Sequence, residues 1–207
     1  MRNILLAMSA LLMSAPLPAT TPPSIPGVDA PELAAPGRFG VGFRTVTFTN
    51  PAQPDLLKAN LETGAVPLHD RTLVVDIWYP ATVAATAPRV TYSAAFWGEP
   101  PHPAVSFTVP GIAAQDAPPI GTALPLVILS HGYSNAPAAM TWLTENLASK
   151  GYVVAGIHHA DANPYTARPA DRAAPTLFRP LDIACVAGQL QTLLKGQIDP
   201  ARVALVG

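Results

Sequence analysis

Three short stretches of this 207-residue chain carry side chains able to do chemistry. The first is Ser130-His131-Gly132-Tyr133-Ser134-Asn135, a polar turn wedged between apolar runs. Ser130 lacks the flanking glycines of an activated serine and reads as the end of a strand. Ser134 and Asn135 read as helix-start residues, whose side-chain oxygens accept from free backbone N–H groups. His131 stands just before the turn and reads as a structural histidine fixing it, the alternative being a catalytic base. The second stretch is His158, His159 and Asp161, two imidazoles and a carboxylate on one loop. These are ligand types that zinc accepts, but no third His or Cys follows, and neighbouring side chains at a strand end point apart. A metal-dependent hydrolase using His158, His159 and Asp161 is therefore an alternative reading. The third stretch holds Arg179 and Asp182, three apart at a helix start and expected to form a local ion pair. Cys185 follows beside an apolar stripe as a small buried hydrophobe.

The elements that must position these groups follow from hydrophobic periodicity. Residues 39–48 (FGVGFRTVTF) alternate apolar with small or polar residues, and 73–79 (LVVDIWY) form a second run ended by Pro80. Both predict antiparallel strands. Residues 81–124 contain seven prolines and predict an irregular excursion; Trp97 lies in it and could approach a substrate, whereas Trp78 and Trp142 read as packing. From Pro125 the pattern changes. Residues 126–129 (LVIL), 152–157 (YVVAGI) and 203–206 (VALV) are continuous apolar runs, as expected of strands covered on both faces in a parallel sheet. A helix is predicted from Pro137 to Gly151, with Met140, Leu143 and Leu147 on one face. A second is predicted from Pro180 to Gly196, with Ile183, Val186, Leu190 and Leu193 along a stripe. The segment 158–175 reads as a loop. The order predicts an α/β fold with a mixed, mostly parallel sheet flanked by helices.

Composition narrows the function. The chain is 49% hydrophobic and only 12% charged, with a net charge of −1. No basic run is present to neutralise phosphates, which argues against nucleic acid. The single cysteine excludes an internal disulfide and a thiolate zinc cluster. Arg2, the apolar run 4–13 and the small residues Ser14, Ala15 and Ala19 predict a secretory signal peptide over residues 1–19. Its apolar run is about half of the ~20 residues a membrane span needs. The chain is thus expected to be exported, periplasmic or extracellular, with a stiff Pro-rich linker at 20–37 and a folded region at 38–207.

The segment PLVILSHGYSNAPAAMTWLTENLASKGYVVAGIHHAD resembles the strand–HG–helix–strand core of secreted α/β-hydrolases. The likeness is strongest to the dienelactone-hydrolase-like and platelet-activating-factor acetylhydrolase-like group, with cutinase-like polyester hydrolases beside it. VGFRTVTF, RTLVVDIWYPA, RPLDIACVAGQLQTLL and DPARVALVG resemble that group in order and spacing. The resemblance implies the α/β-hydrolase fold and hydrolysis of a carboxylic ester, small-molecule or lipid-like, through an acyl-enzyme and with no cofactor. It implies that the Tyr133 backbone N–H donates to the oxyanion and that Gly132 lets the substrate approach this loop. It also implies that VALVG would continue into x-Ser-x-Gly, so that the chain is the N-terminal part of the enzyme, cut after its fifth strand. On that expectation the nucleophile, acid and base lie outside these 207 residues and the chain as it stands is inactive. Alternatively the chain is an exported, non-catalytic binding module on half of the fold.

Overall fold

The computed structural model describes residues 31–96, 101–132, 135–159 and 169–207. The expected signal peptide, Trp97, Tyr133, Ser134 and Asp161 lie outside them. A one-turn helix α1 (Pro31–Ala34) precedes strands β1 (Gly40–Pro54) and β2 (Leu68–Ala81). These pair antiparallel, with Thr45 opposite Asp76 and Asn50 opposite Arg71. β1 does not end at residue 48, where the alternating pattern stops, but runs on through Asn50-Pro51 to Pro54. The register slips between Asn50 and Gln53, where Ala52 takes a φ of 52°, and this bulge accommodates a proline that has no N–H for the ladder.

The segment expected to be irregular contains β3 (Thr91–Phe96) and β4 (Val105–Pro110), which form a separate antiparallel ribbon, and the two-residue β5 (Ala114–Gln115). Its prolines fall in the connections or at a strand end, so TYSAAF and VSFTVP are left free to pair. Then follow β6 (Leu124–Leu129), helix α2 (Thr141–Ser149) entered through a 3₁₀ turn at Pro137–Met140, β7 (Val153–His158), helix α3 (Pro169–Leu193) and β8 (Ile198–Val206).

The main sheet has the order β5-β1-β2-β7-β6-β8. The β5–β1, β7–β6 and β6–β8 pairs are parallel, while β1–β2 and β2–β7 are antiparallel. This is the expected mixed, mostly parallel sheet flanked by helices. Period-2 alternation divides its side chains between two cores. Leu73, Val75, Ile77, Leu126, Ile128, Val153, Ala155 and Ile157 pack with Val186 and Leu190 of α3 and with Leu194 just after it. Trp78, Val127 and Val154 pack with Ala148 of α2 and with Val41, Phe43 and Tyr92. Among the described residues β8 pairs with β6 alone, and Val203 and Leu205 on it are 42% and 59% exposed.

Both helices depart from the expected pattern. On α2 the buried residues are Thr141, Thr144, Glu145, Ala148 and Ser149, so the apolar stripe of Met140, Leu143 and Leu147 is not the deepest face. Burial is set by a polar cluster. The Glu145 carboxylate accepts from the Ile112 and Ala113 N–H groups and from the Tyr92 hydroxyl, which in turn accepts from the Trp78 indole at 2.8 Å. α3 begins at Pro169, eleven residues before the expected start, and holds Pro175 and Pro180 within it. Each proline deletes one backbone bond but keeps a helical φ. Leu194 rather than Leu193 completes the stripe, Leu193 being half exposed.

Candidate active site

The polar groups singled out in the sequence gather at the carboxyl end of the parallel strands. β6 and β7 run in register with Leu129 opposite Gly156, and Val206 of β8 lies on the other side of Leu129. Ser130 follows β6 directly, and its N–H donates to the Val206 carbonyl at 2.9 Å.

His158 and His159 are adjacent in sequence and turn to opposite faces, as strand alternation requires. His158 faces Asp76 of β2. Its Nε2 donates to Asp76 Oδ2 at 2.7 Å, and the Thr45 hydroxyl donates to Asp76 Oδ1 at 2.7 Å. His159 faces α3, where its Nε2 lies 2.9 Å from Ser130 Oγ and its Nδ1 4.0 Å from Asp182 Oδ2. The two rings thus have separate partners and are not brought together as a ligand pair. Among the described residues no group of three His, Cys, Asp or Glu is placed to hold a metal ion.

Asp182 does not pair with Arg179 as expected. It is fully buried and receives two bonds from Arg71, at 3.0 and 2.7 Å, plus a longer one from Asn50. The Asn50–Arg71 cross-strand pairing explains this, because both side chains reach Asp182 from neighbouring strands. The Arg71 guanidinium also stacks 4.4 Å over the Phe178 ring. Arg179 instead donates from Nη1 to the His131 carbonyl at 2.5 Å, tying α3 to the turn. Cys185 is half-buried and its thiol is held protonated, burial and then the Asp182 charge raising its pKa.

Ser130, His159 and Asp182 stand in the order of a nucleophile, base and acid, a constellation that the sequence reading passed over. Its electrostatics oppose that role. Burial, followed by the Arg179, His131, Arg71 and His158 charges, pushes the His159 pKa down to about 3. An imidazole that weakly basic is a poor general base near neutrality. Asp182 is already neutralised by Arg71, and 4.0 Å exceeds hydrogen-bond distance to Nδ1. The chemistry of this trio is structural.

His131 is buried, and burial is the main cause lowering its pKa. Its Nδ1 lies 2.8 Å from the Gly132 carbonyl oxygen. A carbonyl only accepts, so Nδ1 carries the proton. The Asn135 N–H donates to the same carbonyl at 3.2 Å. Gly132 itself is exposed, and nothing stands within 4 Å of where a Cβ would be. The missed partners had one legible signal: Asp76 interrupts LVVDIWY, and a carboxylate within a buried strand requires donors.

The sequence pattern of the family described as Platelet-activating factor acetylhydrolase, isoform II, matches residues 103–175. That stretch includes β6, the 130–132 turn, α2, β7 and the histidines at 131, 158 and 159. No curated protein matches the chain. A ferulic acid esterase from Streptomyces cinnamoneus is a similar solved structure, at 22% identity and a TM-score of 0.46, over 84% of this chain and 53% of that one. The chain therefore spans about half the length of that structure. The family match supports the resemblance to the platelet-activating factor acetylhydrolase-like α/β-hydrolases, an esterase-type group.

Proposed function

We propose that this chain is the N-terminal part of a serine hydrolase of carboxylic esters, exported after cleavage of residues 1–19. In this reading the nucleophilic serine follows Gly207 on a sharp strand-to-helix bend, and the Gly132–Tyr133 turn supplies one of the two oxyanion donors. The observation that carries it is the meeting of two chain segments. β8 delivers Gly207 to the carboxyl end of the parallel strands, where a Cβ on it would lie 3.2 Å from the Ser130 carbonyl. On this reading a hydroxyl carried just beyond Gly207 would face the turn. The substrate is a small or lipid-like ester, and no cofactor takes part.

The reading is tested by translating the reading frame through and beyond codon 207. The extended product should hydrolyse p-nitrophenyl acetate well above the buffer rate, and the 207-residue chain should not. Cleavage after Ala19 is checked by N-terminal sequencing of exported protein. A stop codon directly after Gly207, or hydrolysis by the 207-residue chain, contradicts the assignment of the nucleophile.

A further inference from the structure

The ribbon of β3 and β4 is separate from the main sheet, and its base fixes which backbone groups point inward. The Gly111 N–H donates to the Val90 carbonyl at 2.9 Å. From there the register runs unbroken, from Thr91 opposite Pro110 to Phe96 opposite Val105. Antiparallel pairs alternate between bonded and non-bonded, so Tyr92, Ala94 and Phe96 exchange bonds with Val109, Phe107 and Val105. The N–H and C=O groups of Ser106 and Thr108 therefore point away from β3. Among the described residues β4 pairs with β3 alone, whereas β3 also lies against the 3₁₀ turn.

β4 is thus an open edge, and it lacks the usual protection. Lysines, inward charges, bulges and prolines blunt such edges in other proteins. The six residues Val105–Pro110 carry no charge and no bulge, and their proline stands only at the end. The pattern Val105-Ser106-Phe107-Thr108-Val109 reads the same in both directions, with apolar side chains on one face and hydroxyls on the other. The apolar face is buried at Tyr92, half-buried at Ala94, Phe107 and Val109, and opens to 63% exposure at Val105.

We propose that β4 is a self-association edge: it pairs antiparallel with β4 of a second copy about a two-fold axis at Phe107, joining two ribbons into one four-stranded sheet. Ser106 then stands in a bonded pair with Thr108 of the second copy, and Thr108 with its Ser106, which uses the outward groups of both residues. The exposed Val105 meets the half-buried Val109 of the second copy, and the two apolar faces lie on the same side. A two-fold contact sets a surface against its own copy, so a charge near the axis would meet its like. An uncharged strand is the kind that matches itself. Six residues a side cover less than the ~1,200 Å² of a stable interface, so the association is weak, with a Kd on the order of 100 μM.

Sedimentation velocity of the 207-residue chain, from about 5 to about 500 μM, should show monomer passing into dimer across that Kd. Thr108→Pro removes an N–H that the monomer leaves to solvent, a place where edge strands tolerate proline. It should raise the Kd at least about 10-fold, because two of the four bonds are lost. Leu205→Lys, on the exposed strand β8, should leave the dimer intact. In a Cys185→Ser background, Phe107→Cys should form a disulfide across the axis under mild oxidation, since non-bonded antiparallel partners lie ~4.5 Å apart at Cα. Ser93→Cys, on β3, should not. A chain that stays monomeric throughout, a Thr108→Pro dimer as tight as the wild type, or a dimer abolished by Leu205→Lys overturns the proposal, as does equal cross-linking of the two cysteine variants. If Phe107→Cys fails to fold, the sedimentation comparison decides alone.

Discussion

The Ser130 hydroxyl lies 2.9 Å from His159 Nε2, with the Asp182 carboxylate beyond the far side of the ring. The arrangement has the outline of a catalytic triad and the electrostatics of a structural bolt. It joins the end of β6 to the end of β7 and to α3, beneath the turn at Gly132. Ser130→Ala should cost about 1 kcal/mol of stability, the net worth of one hydrogen bond, as measured by urea unfolding. A fluorophosphonate probe should leave Ser130 of the 207-residue chain unlabelled; its capture there would make this trio the catalytic one.

The ion pair below the bolt should matter more. Arg71 is 12% exposed and Asp182 fully buried, so Arg71→Leu leaves a carboxylate in the core without its cation. The expected loss is about 3–5 kcal/mol. Replacing both residues with apolar ones should recover part of it. Equal losses in the single and double variants would show that the pair is not coupled.

Stability should fall on the acid side. In the unfolded chain both buried imidazoles titrate near the usual ~6.5. In the folded chain His159 titrates at about 3, and His131 is also lowered, in each case chiefly by burial. Between the folded and unfolded values the unfolded chain binds more protons, so folding strengthens as pH rises to about 6.5 and levels off above it. Each histidine adds a slope of up to about 1.4 kcal/mol per pH unit within that window. Urea midpoints from pH 5 to 8 measure this, and His159→Gln should flatten the slope. A protein that gained stability on acidification from pH 6.5 to 5 would contradict the burial of both rings.

Gly156 sits in β7 under the 3₁₀ turn. A Cβ there would come within 2.8 Å of Pro137 Cβ and 3.1 Å of the Trp78 ring. Gly156→Ala should therefore destabilise by about 1–3 kcal/mol through overpacking, while Gly188→Ala, with nothing within 4 Å, should not. Comparable unfolding midpoints for the two variants would show that Pro137 and Trp78 yield without strain.

The parts of the fold that a sequence shows plainly are those written as periodicity. The runs at 126–129 and 152–157 place β6 and β7 within one or two residues, and the run at 73–79 places the end of β2 as closely but misses its first five residues. Long-range polar partners are not written locally. Nothing near Asp182 announces that Arg71, 111 residues earlier, will claim it in place of Arg179. Prolines misled: residues 158–175 read as a loop and Pro180 as a helix start, whereas one helix beginning at Pro169 holds both Pro175 and Pro180, and a bulge absorbs Pro51. At the site, the HG turn, the family likeness and the divergence of His158 from His159 were legible. The Ser130–His159 contact was not, because it depends on two strands ending side by side.

The central claim is that the attacking hydroxyl belongs to a residue following β8 and acts against the turn at Gly132. The most direct measurement is the site of covalent capture in the extended product, mapped by mass spectrometry after treatment with a fluorophosphonate. The account predicts one adduct, on a serine two residues after Gly207, and none on Ser130. An adduct on Ser130, or no adduct in a product that still hydrolyses esters, would contradict it.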